Sequence, residues 1–232
     1  MNQYPGVVGR KLGMTQLIAE DGTVSSCTVI EARALVVGKR SAEKDGYDAL
    51  ILGIDDVREK LLTKPVLGAF KAKNLTPKRV QREFRCTPEY AASIEVGSEM
   101  ALDQLFEVGQ FLDVTGISRG RGFQGVVRKY KFAGAVQTHG THEYRRHGGS
   151  IGTNMTPGRT KLGVRMPGQM GNARVSVLSQ RVAKVIPEQH LVLVYGGVPG
   201  SKNGIVELRG AVKRNGGRNQ PKIVQQGKAG KK

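Results

Sequence analysis

The stretch HGTHEYRRHGGSIGTNMTPGRTKLGVRMPGQMGNAR runs from His139 to Arg174. It is rich in glycine, arginine and histidine, and its one acidic residue is Glu143. Between residues 133 and 172 we find neither the period of two that marks a strand nor the period of 3.6 that marks an amphipathic helix. The stretch therefore has almost nothing to bury, and something outside the protein must hold it in place.

Strand patterns lie on both sides of this stretch. Alternating or apolar runs occur at residues 6–18, 23–32, 34–40, 47–54, 78–86, 109–118, 173–187, 190–196 and 204–210. The turn signals Asp21-Gly22 and Asp45-Gly46 each join two of these runs, as in antiparallel hairpins or a barrel. Short helical stretches are predicted at residues 65–73 and 123–130. The sequence therefore predicts a mainly β fold with little helix.

The domain boundaries follow from where the strand patterns stop. We predict a β domain made of residues 1–118 and 173–213, an extended arm at residues 119–172, and a basic, flexible tail at residues 214–232. A loop as long as this arm is either functional or disordered. Ordering it costs about 1–2 kcal/mol per residue. An external partner must supply the contacts that offset this cost.

The charge distribution identifies the class of partner. Residues 1–118 carry 15 Lys/Arg and 16 Asp/Glu, whereas residues 119–232 carry 22 Lys/Arg and 3 Asp/Glu. The net charge of +18 therefore lies entirely in the second part of the chain. A concentrated positive charge favours a polyanion, with nucleic acid as the first candidate and an anionic membrane surface as the second.

Several other classes of protein are disfavoured. The two cysteines, Cys27 and Cys86, form no C-x-x-C pair and indicate neither a zinc site nor a disulfide framework. The first residues, MNQYPGVVGRKLGM, contain no apolar leader segment, and no run approaches the ~18 apolar residues of a membrane span. We therefore expect a cytoplasmic protein.

The run Gly120-Arg-Gly-Phe-Gln-Gly125 matches G-x-G-x-x-G after a predicted strand. A dinucleotide-binding fold would require a full helix and a second parallel strand next, but KFAGAVQTHGT follows and predicts neither. The interpretation that we favour is that these glycines let backbone amides approach phosphates, beside Arg119, Arg121, Arg128, Lys129 and Lys131.

The histidines of the arm resemble a metal motif without satisfying it. His142 and His147 are five residues apart, whereas the zinc protease motif H-E-x-x-H needs a spacing of four on a helix. Glycines surround the segment, so we expect no helix there. We predict that His139, His142 and His147 contact bases or phosphates, and that the protein has no metal, no cofactor and no catalytic constellation.

The remaining predicted RNA contacts are cations. We expect direct contacts with phosphates from Arg145, Arg146, Arg159, Lys161 and Arg165. Arg174, at the end of the basic stretch, is also predicted to bind the RNA. The aromatic side chains Phe123, Tyr130, Phe132 and Tyr144 are candidates for stacking on splayed bases, at ~1–3 kcal/mol each, or for packing against the β domain. The pattern indicates recognition of a folded RNA through its phosphates.

Six runs are characteristic, and they occur in the order GxxGRKLGMTQ (6–16), EKDGY (43–47), DVTGISRGRGFQGVVR (113–128), GSIG with TPGR (149–159), GQMGNARV (168–175) and GxVPG (196–200). These runs resemble the family of the third protein of the large ribosomal subunit, in its bacterial form. The resemblance covers nearly all of residues 6–213, with the motifs in the family's order. It implies a six-stranded antiparallel β-barrel of the translation-protein type, with a long irregular extension.

The resemblance also implies a function. Members of the family bind large-subunit rRNA early in assembly, near its 3′ end, contact neighbouring ribosomal proteins, and have no catalytic activity. Their extension reaches toward the peptidyl transferase centre. In this chain its tip corresponds to Gly149, Ser150, Ile151, Gly152, Thr153, Asn154 and Met155. Some bacterial members carry an N-methylated glutamine where this chain has Met155, and methionine has no amide nitrogen to modify.

Two alternatives from other classes stay open at this point. One is a nucleotide-dependent enzyme that uses Gly120–Gly125, which dinucleotide binding would reveal. The other is a peripheral membrane protein held by charge, although the sequence lacks the amphipathic helix with an apolar face that this would need.

Overall fold

The structure, a computed structural model, describes residues 6–214. It divides into two compact units. One unit, called here the β unit, comprises the chain up to Ile117 and from Val175 onward, and the other, called the basic segment, is Ser118–Arg174. Beyond Arg214, the tail that was predicted to be flexible lies outside the described residues.

The strands lie close to the runs that the sequence predicted. They are β1 (Gly6–Ile18), β2 (Val24–Glu31), β3 (Leu35–Arg40), β4 (Ala49–Asp56), β5 (Lys78–Arg85), β6 (Phe111–Ile117), β7 (Phe123–Gln124), β8 (Gly168–Gln169), β9 (Arg174–Ile186), β10 (Leu191–Tyr195) and β11 (Ile205–Gly210). The two-residue strands β7 and β8 were not predicted, because such short strands leave no alternation to detect.

The helices are short. They are α1 (Ala42–Asp45), α2 (Lys64–Lys71), α3 (Pro88–Ser93), α4 (Leu102–Leu105) and α5 (Val126–Tyr130), with 3₁₀ turns at Glu59–Leu61, His142–Arg146 and Pro187–Gln189. The predicted helices at 65–73 and 123–130 correspond to α2 and α5. Helices α1, α3 and α4 were not predicted, because four to six residues are too few to show a helical period.

Six strands of the β unit form one sheet in the order β1-β11-β6-β9-β10-β2. Because β2 pairs with β1 as well as with β10, the sheet returns to its first strand and closes. The first and last strands of the described residues are neighbours in this sheet, since β1 also pairs with β11, with Val8 opposite Glu207. The predicted mainly β class and the six antiparallel strands are confirmed.

The other three strands of the β unit form a separate antiparallel sheet in the order β3-β4-β5. The sequence predicted these strands but not that they leave the larger sheet, because sheet membership depends on long-range pairing. One cluster of buried side chains packs both sheets together, and it includes Val8, Leu52, Phe84, Leu112 and Leu208. The β unit therefore has one continuous hydrophobic core.

The two buried polar residues of the β unit, Thr28 and Gln110, have hydrogen-bond partners. The Thr28 hydroxyl donates to the Gly196 carbonyl at 2.6 Å, and the Gln110 Oε1 accepts the Glu107 backbone N–H at 2.9 Å. A paired buried polar group avoids the desolvation penalty of about 1–3 kcal/mol that an unpaired one carries. The burial of Thr28 and Gln110 is thus compensated by hydrogen bonds within the β unit.

The buried thiol of Cys86 makes the stability of the β unit depend on pH. Burial, followed by the nearby Asp48 carboxylate, raises the pKa of Cys86 from 9.0 to about 11. The unfolded thiol ionises first, so the contribution of Cys86 is fully present below pH 9 and is lost as the pH rises through about 11. Between pH 9 and pH 11, we expect the free energy of unfolding, measured with urea, to fall by about 1–2 kcal/mol less in Cys86→Ala than in the unmodified protein. Equal pH slopes for the two proteins would contradict the assignment.

Candidate nucleic-acid interface

The basic segment is closed at its base by hydrogen bonds between its own two ends. The Ser118 N–H donates to the Ala173 carbonyl at 2.8 Å, and the Arg121 N–H donates to the Met170 carbonyl at 2.9 Å. Beyond these, β7 pairs with β8 through Phe123 opposite Gln169. We call residues 118–124 and 168–173 the stem. The prediction of an irregular segment therefore needs correction at its base, which is a short antiparallel ribbon.

The segment has very little interior. Between residues 118 and 174, all of which the structure describes, Val126 is the one buried side chain. It lies at the start of α5, the five-residue helix that follows the stem. One buried side chain provides far less hydrophobic stabilisation than ordering 57 residues costs. The structure thus agrees with the inference that this segment has no core of its own.

Close backbone contacts replace side-chain packing at two glycines. An added Cβ on Gly134 would lie 2.4 Å from the Arg145 carbonyl oxygen, and one on Gly171 would lie 2.2 Å from the Arg119 carbonyl oxygen. Both glycines have positive φ angles, +74° in each case. Only glycine fits these two positions, because any side chain would collide with the neighbouring backbone.

These contacts predict which glycine substitution opens the stem. Gly171→Ala forces the Cβ against Arg119, whereas Gly163→Ala has a similar φ of +81° and nothing within 4 Å. We expect Gly171→Ala to speed hydrogen exchange strongly at the stem amides of Ser118 and Arg121, and Gly163→Ala to leave it unchanged. Amide hydrogen exchange followed by NMR measures this. Equal exchange in the two variants would show that the contact at Gly171 is unimportant.

The predicted RNA-contacting side chains are almost all open to solvent. The half-buried exception is Lys129, whose Nζ lies 5.1 Å from the centre of the Tyr130 ring. The exposed side chains are Arg119, Arg121, Arg128, Lys131, His139, His142, Arg145, Arg146, His147, Arg159, Lys161, Arg165 and Arg174. The structure therefore leaves the exposed cations from Arg119 to Arg165 and these imidazoles available to a partner.

The charge of the segment is not neutralised within the protein. It holds 11 Lys/Arg and one carboxylate, Glu143. In the described part of the chain, no ion pair involves a lysine or arginine from Arg119 to Arg165; the ion pairs lie in the β unit, as between Arg33 and Glu99 at 3.1 Å. Like charges held together without counter-charges repel one another. An anionic partner would relieve this repulsion.

The tip residues, Gly149–Met155, are all exposed. Met155 is 86% exposed, and Ile151 is 58% exposed. Local hydrogen bonds shape the loop: the Ser150 hydroxyl donates to the Gly152 carbonyl at 2.8 Å, and the Thr153 hydroxyl donates to the Thr156 carbonyl at 2.7 Å. The tip is therefore a loop shaped by short-range contacts, with apolar side chains facing solvent.

The four aromatic side chains of the segment fall into two groups. Phe123 and Tyr144 are exposed, at 75% and 68%, and Tyr144 lies beside the His147 ring with centroids 4.6 Å apart. Tyr130 and Phe132 are half-buried and lie 6.4 Å apart. Exposed rings stack readily on unpaired bases, whereas the half-buried pair helps to shape the segment.

Two local expectations are settled by the backbone. Residues 142–146 form a 3₁₀ turn, so the expectation of no helix around His142 and His147 was wrong; a single turn needs only the Tyr144 and His147 N–H bonds, which glycines nearby do not prevent. The run Gly120–Gly125 contains the two-residue antiparallel strand β7 and is followed by the five-residue helix α5. A dinucleotide site requires a long helix after a parallel strand.

Other site classes find no support in residues 6–214. Within that range, the structure contains no group of three or more His, Cys, Asp or Glu residues placed to hold a metal ion. No helix in the described part of the chain combines the length and apolar composition of a membrane span.

The sequence analysis missed an apolar feature of the segment. Leu162 and Val164, between the cations Lys161 and Arg165, and Met166, which follows Arg165, are exposed, and Leu162 is fully so. Val164 and Met166 line a cavity together with residues from α5 and from the tip loop. The sequence did contain a signal for this feature. Apolar residues in a segment that has no core cannot be buried within that segment, which points to a partner.

The chain is similar to known proteins over most of its length. The family model described as Ribosomal protein L3 matches residues 89–190. The chain is 58% identical over 218 residues to the large ribosomal subunit protein uL3 of Sorangium cellulosum, covering 94% of each chain. It is 45% identical over 210 residues to that of Myxococcus xanthus (90% of this chain, 93% of that protein) and 42% identical over 210 residues to that of Brachyspira pilosicoli (90% and 94%).

Proposed function

Because this chain belongs to the ribosomal protein L3 family, whose members are structural proteins of the large ribosomal subunit and not enzymes, we propose that it binds large-subunit rRNA through its basic segment. It does so early in assembly and stabilises the tertiary structure of that RNA. The prediction that the chain resembles this family is confirmed. The binding of rRNA and the role in assembly are the proposal.

One observation carries the proposal. The basic segment has 11 Lys/Arg, one carboxylate and one buried side chain. In the described structure its cations from Arg119 to Arg165 form no ion pairs and, apart from the half-buried Lys129, are exposed. Phosphates supply negative charge next to these cations, and they also supply the contacts that a hydrophobic core would otherwise provide. Arginine suits this task because its guanidinium donates two parallel hydrogen bonds to one phosphate.

The mechanism is conformational. The stem forms from the protein's own hydrogen bonds, and the remainder of the segment orders as its cations replace counterions on the RNA backbone. The glycines let the chain follow narrow gaps between RNA helices, since they add no side-chain bulk. From the family we expect the tip, Gly149–Met155, to lie near the peptidyl transferase centre and to support the RNA there without taking part in the chemistry.

The β unit supplies the second part of the proposed role. The charges in its first part are balanced, with 15 Lys/Arg and 16 Asp/Glu over residues 1–118, and several of them form ion pairs on the surface of the unit. Such a surface suits contacts with neighbouring ribosomal proteins and with solvent. We expect the protein to work in the cytoplasm, as part of the ribosome and without a cofactor, a small-molecule substrate or a membrane.

Crosslinking in the cell tests this proposal. A tagged chain should sediment with the large ribosomal subunit, and ultraviolet crosslinks mapped at both ends should join residues 119–174 to large-subunit rRNA. Crosslinks from the β unit serve as the comparison, and we expect fewer of them for each exposed side chain. A chain that sediments apart from ribosomal particles, or one that crosslinks to RNA only through the β unit, would overturn it.

A further inference from the structure

The basic segment contains a cavity that its charges alone do not explain. It has a volume of about 420 Å³ and lies between α5, the tip loop and residues 164–167. Its apolar wall is formed by Val126, Phe132, Ile151, Val164, Met166 and Pro167. A cavity of this size is in the range of small-molecule and cofactor sites, at roughly 300–1,000 Å³.

The wall of this cavity is only partly covered by the protein. Val126 is buried, but Val164 and Met166 are 36% and 37% exposed, and Ile151 is 58% exposed. In a segment with a single buried side chain, a cluster of open apolar groups is a binding surface without its occupant. Covering them would stabilise the segment in the way that a core stabilises the β unit.

The polar lining shows which occupant fits. Arg146, His147 and Arg165 also line the cavity, and no carboxylate does so. Arg165 lies in the lining between Val164 and Met166 of the apolar wall, and its guanidinium carbon is 5.6 Å from the centre of the Tyr130 ring, which is outside the lining. The occupant should therefore combine an apolar, preferably flat group with a negative charge next to it.

A nucleotide has this composition. Its base offers a flat surface to apolar side chains and to guanidinium planes, and its phosphate pairs with arginine. An apolar side chain of a neighbouring protein would fill the wall but would leave Arg146 and Arg165 without an anion. The charge of the lining therefore favours RNA over protein.

We propose that this cavity receives one unstacked base of the large-subunit rRNA, with the phosphate of that nucleotide against Arg146 and Arg165. The inference rests on the proposed function and adds to it a contact with a base, where the remainder of the segment contacts phosphates. The base also supplies apolar cover for Ile151, Val164 and Met166, so it holds the tip loop against α5.

The test uses assembled large subunits in which methionine is replaced by its diazirine analogue, which keeps nearly the same size. After illumination and nuclease digestion, mass spectrometry identifies what is attached to Met166. Val164→Trp fills the cavity from an exposed position, and Val136→Trp places the same ring at a 65% exposed position outside it. We expect Met166 to carry one nucleobase, with most of that adduct lost in Val164→Trp and retained in Val136→Trp.

Four results would overturn the inference: attachment of Met166 to a neighbouring protein, attachment to sugar or phosphate alone, no attachment, or equal loss of the base adduct in both tryptophan variants. In each of them the chain still sediments with the large subunit and crosslinks to rRNA through other residues of 119–174, so the proposed function would stand. If the chain is absent from the subunit altogether, the proposed function fails, and the inference fails with it.

Discussion

The affinity of this protein for a fragment of large-subunit rRNA is expected to fall by about 10³–10⁵-fold when the salt concentration rises from 50 to 200 mM. This range corresponds to roughly 6–10 phosphate contacts, since each contact releases condensed counterions that added salt disfavours. The 11 cations of the basic segment are enough to make that number. Binding isotherms at a series of salt concentrations give the salt slope, which is the change in the logarithm of the binding constant with the logarithm of the salt concentration.

Two double variants separate the basic segment from the general charge of the protein. Arg145→Gln with Arg159→Gln removes two exposed cations of the segment and should lower the salt slope by about 2. Arg33→Gln with Lys71→Gln removes the same charge from cations that are paired with Glu99 and Glu59, and should change the slope little. A flat salt response in the unmodified protein, or equal effects of the two pairs, would count against phosphate-led binding by this segment.

Deletion of residues 140–168 should leave a folded β unit and abolish efficient assembly of the large subunit. The buried cluster of the β unit lies outside the deletion, as do all six strands of its larger sheet. The stem bonds of Ser118 and Asn172 also remain. We therefore expect the thermal midpoint of the β unit to move by only a few degrees, while sedimentation profiles of cells that depend on the variant show precursor particles in place of mature large subunits.

The deletion can contradict the account in two ways. An unfolded product would show that the basic segment belongs to the core of the β unit. Normal subunits containing the shortened protein would show that the segment is dispensable for assembly. The control is the point variant Gly163→Ala, which alters an open position in the deleted range and should assemble normally.

Local patterns were enough to predict most strands of the β unit. The run 6–18 has apolar patches and ends before a glycine-containing turn, and the run 204–210 shows a strand pattern, so β1 and β11 could be placed from the residues alone. Their mutual pairing could not, because it joins residues about 200 positions apart, as Val8 and Glu207. The separation of β3, β4 and β5 into their own sheet was hidden for the same reason.

The candidate site was predictable in charge but not in shape. Counting charged residues finds 11 Lys/Arg and one carboxylate between Arg119 and Arg174 with no structural information. The cavity escaped prediction because its wall is assembled from Val126, Ile151 and Val164, which belong to three separate stretches of an aperiodic segment. The stem was missed because close contacts such as that of Gly171 with Arg119 depend on backbone path and leave no periodic pattern.

The central claim is that RNA phosphates, and not an interior, order the basic segment beyond its stem. Backbone ¹⁵N relaxation of the isolated protein, measured with and without the rRNA fragment, tests it most directly. We predict fast, large-amplitude motion at residues 139–165 in the free protein, beside a rigid β unit, and loss of that motion in the complex. A segment that is as rigid as the β unit in the absence of any polyanion would contradict the claim.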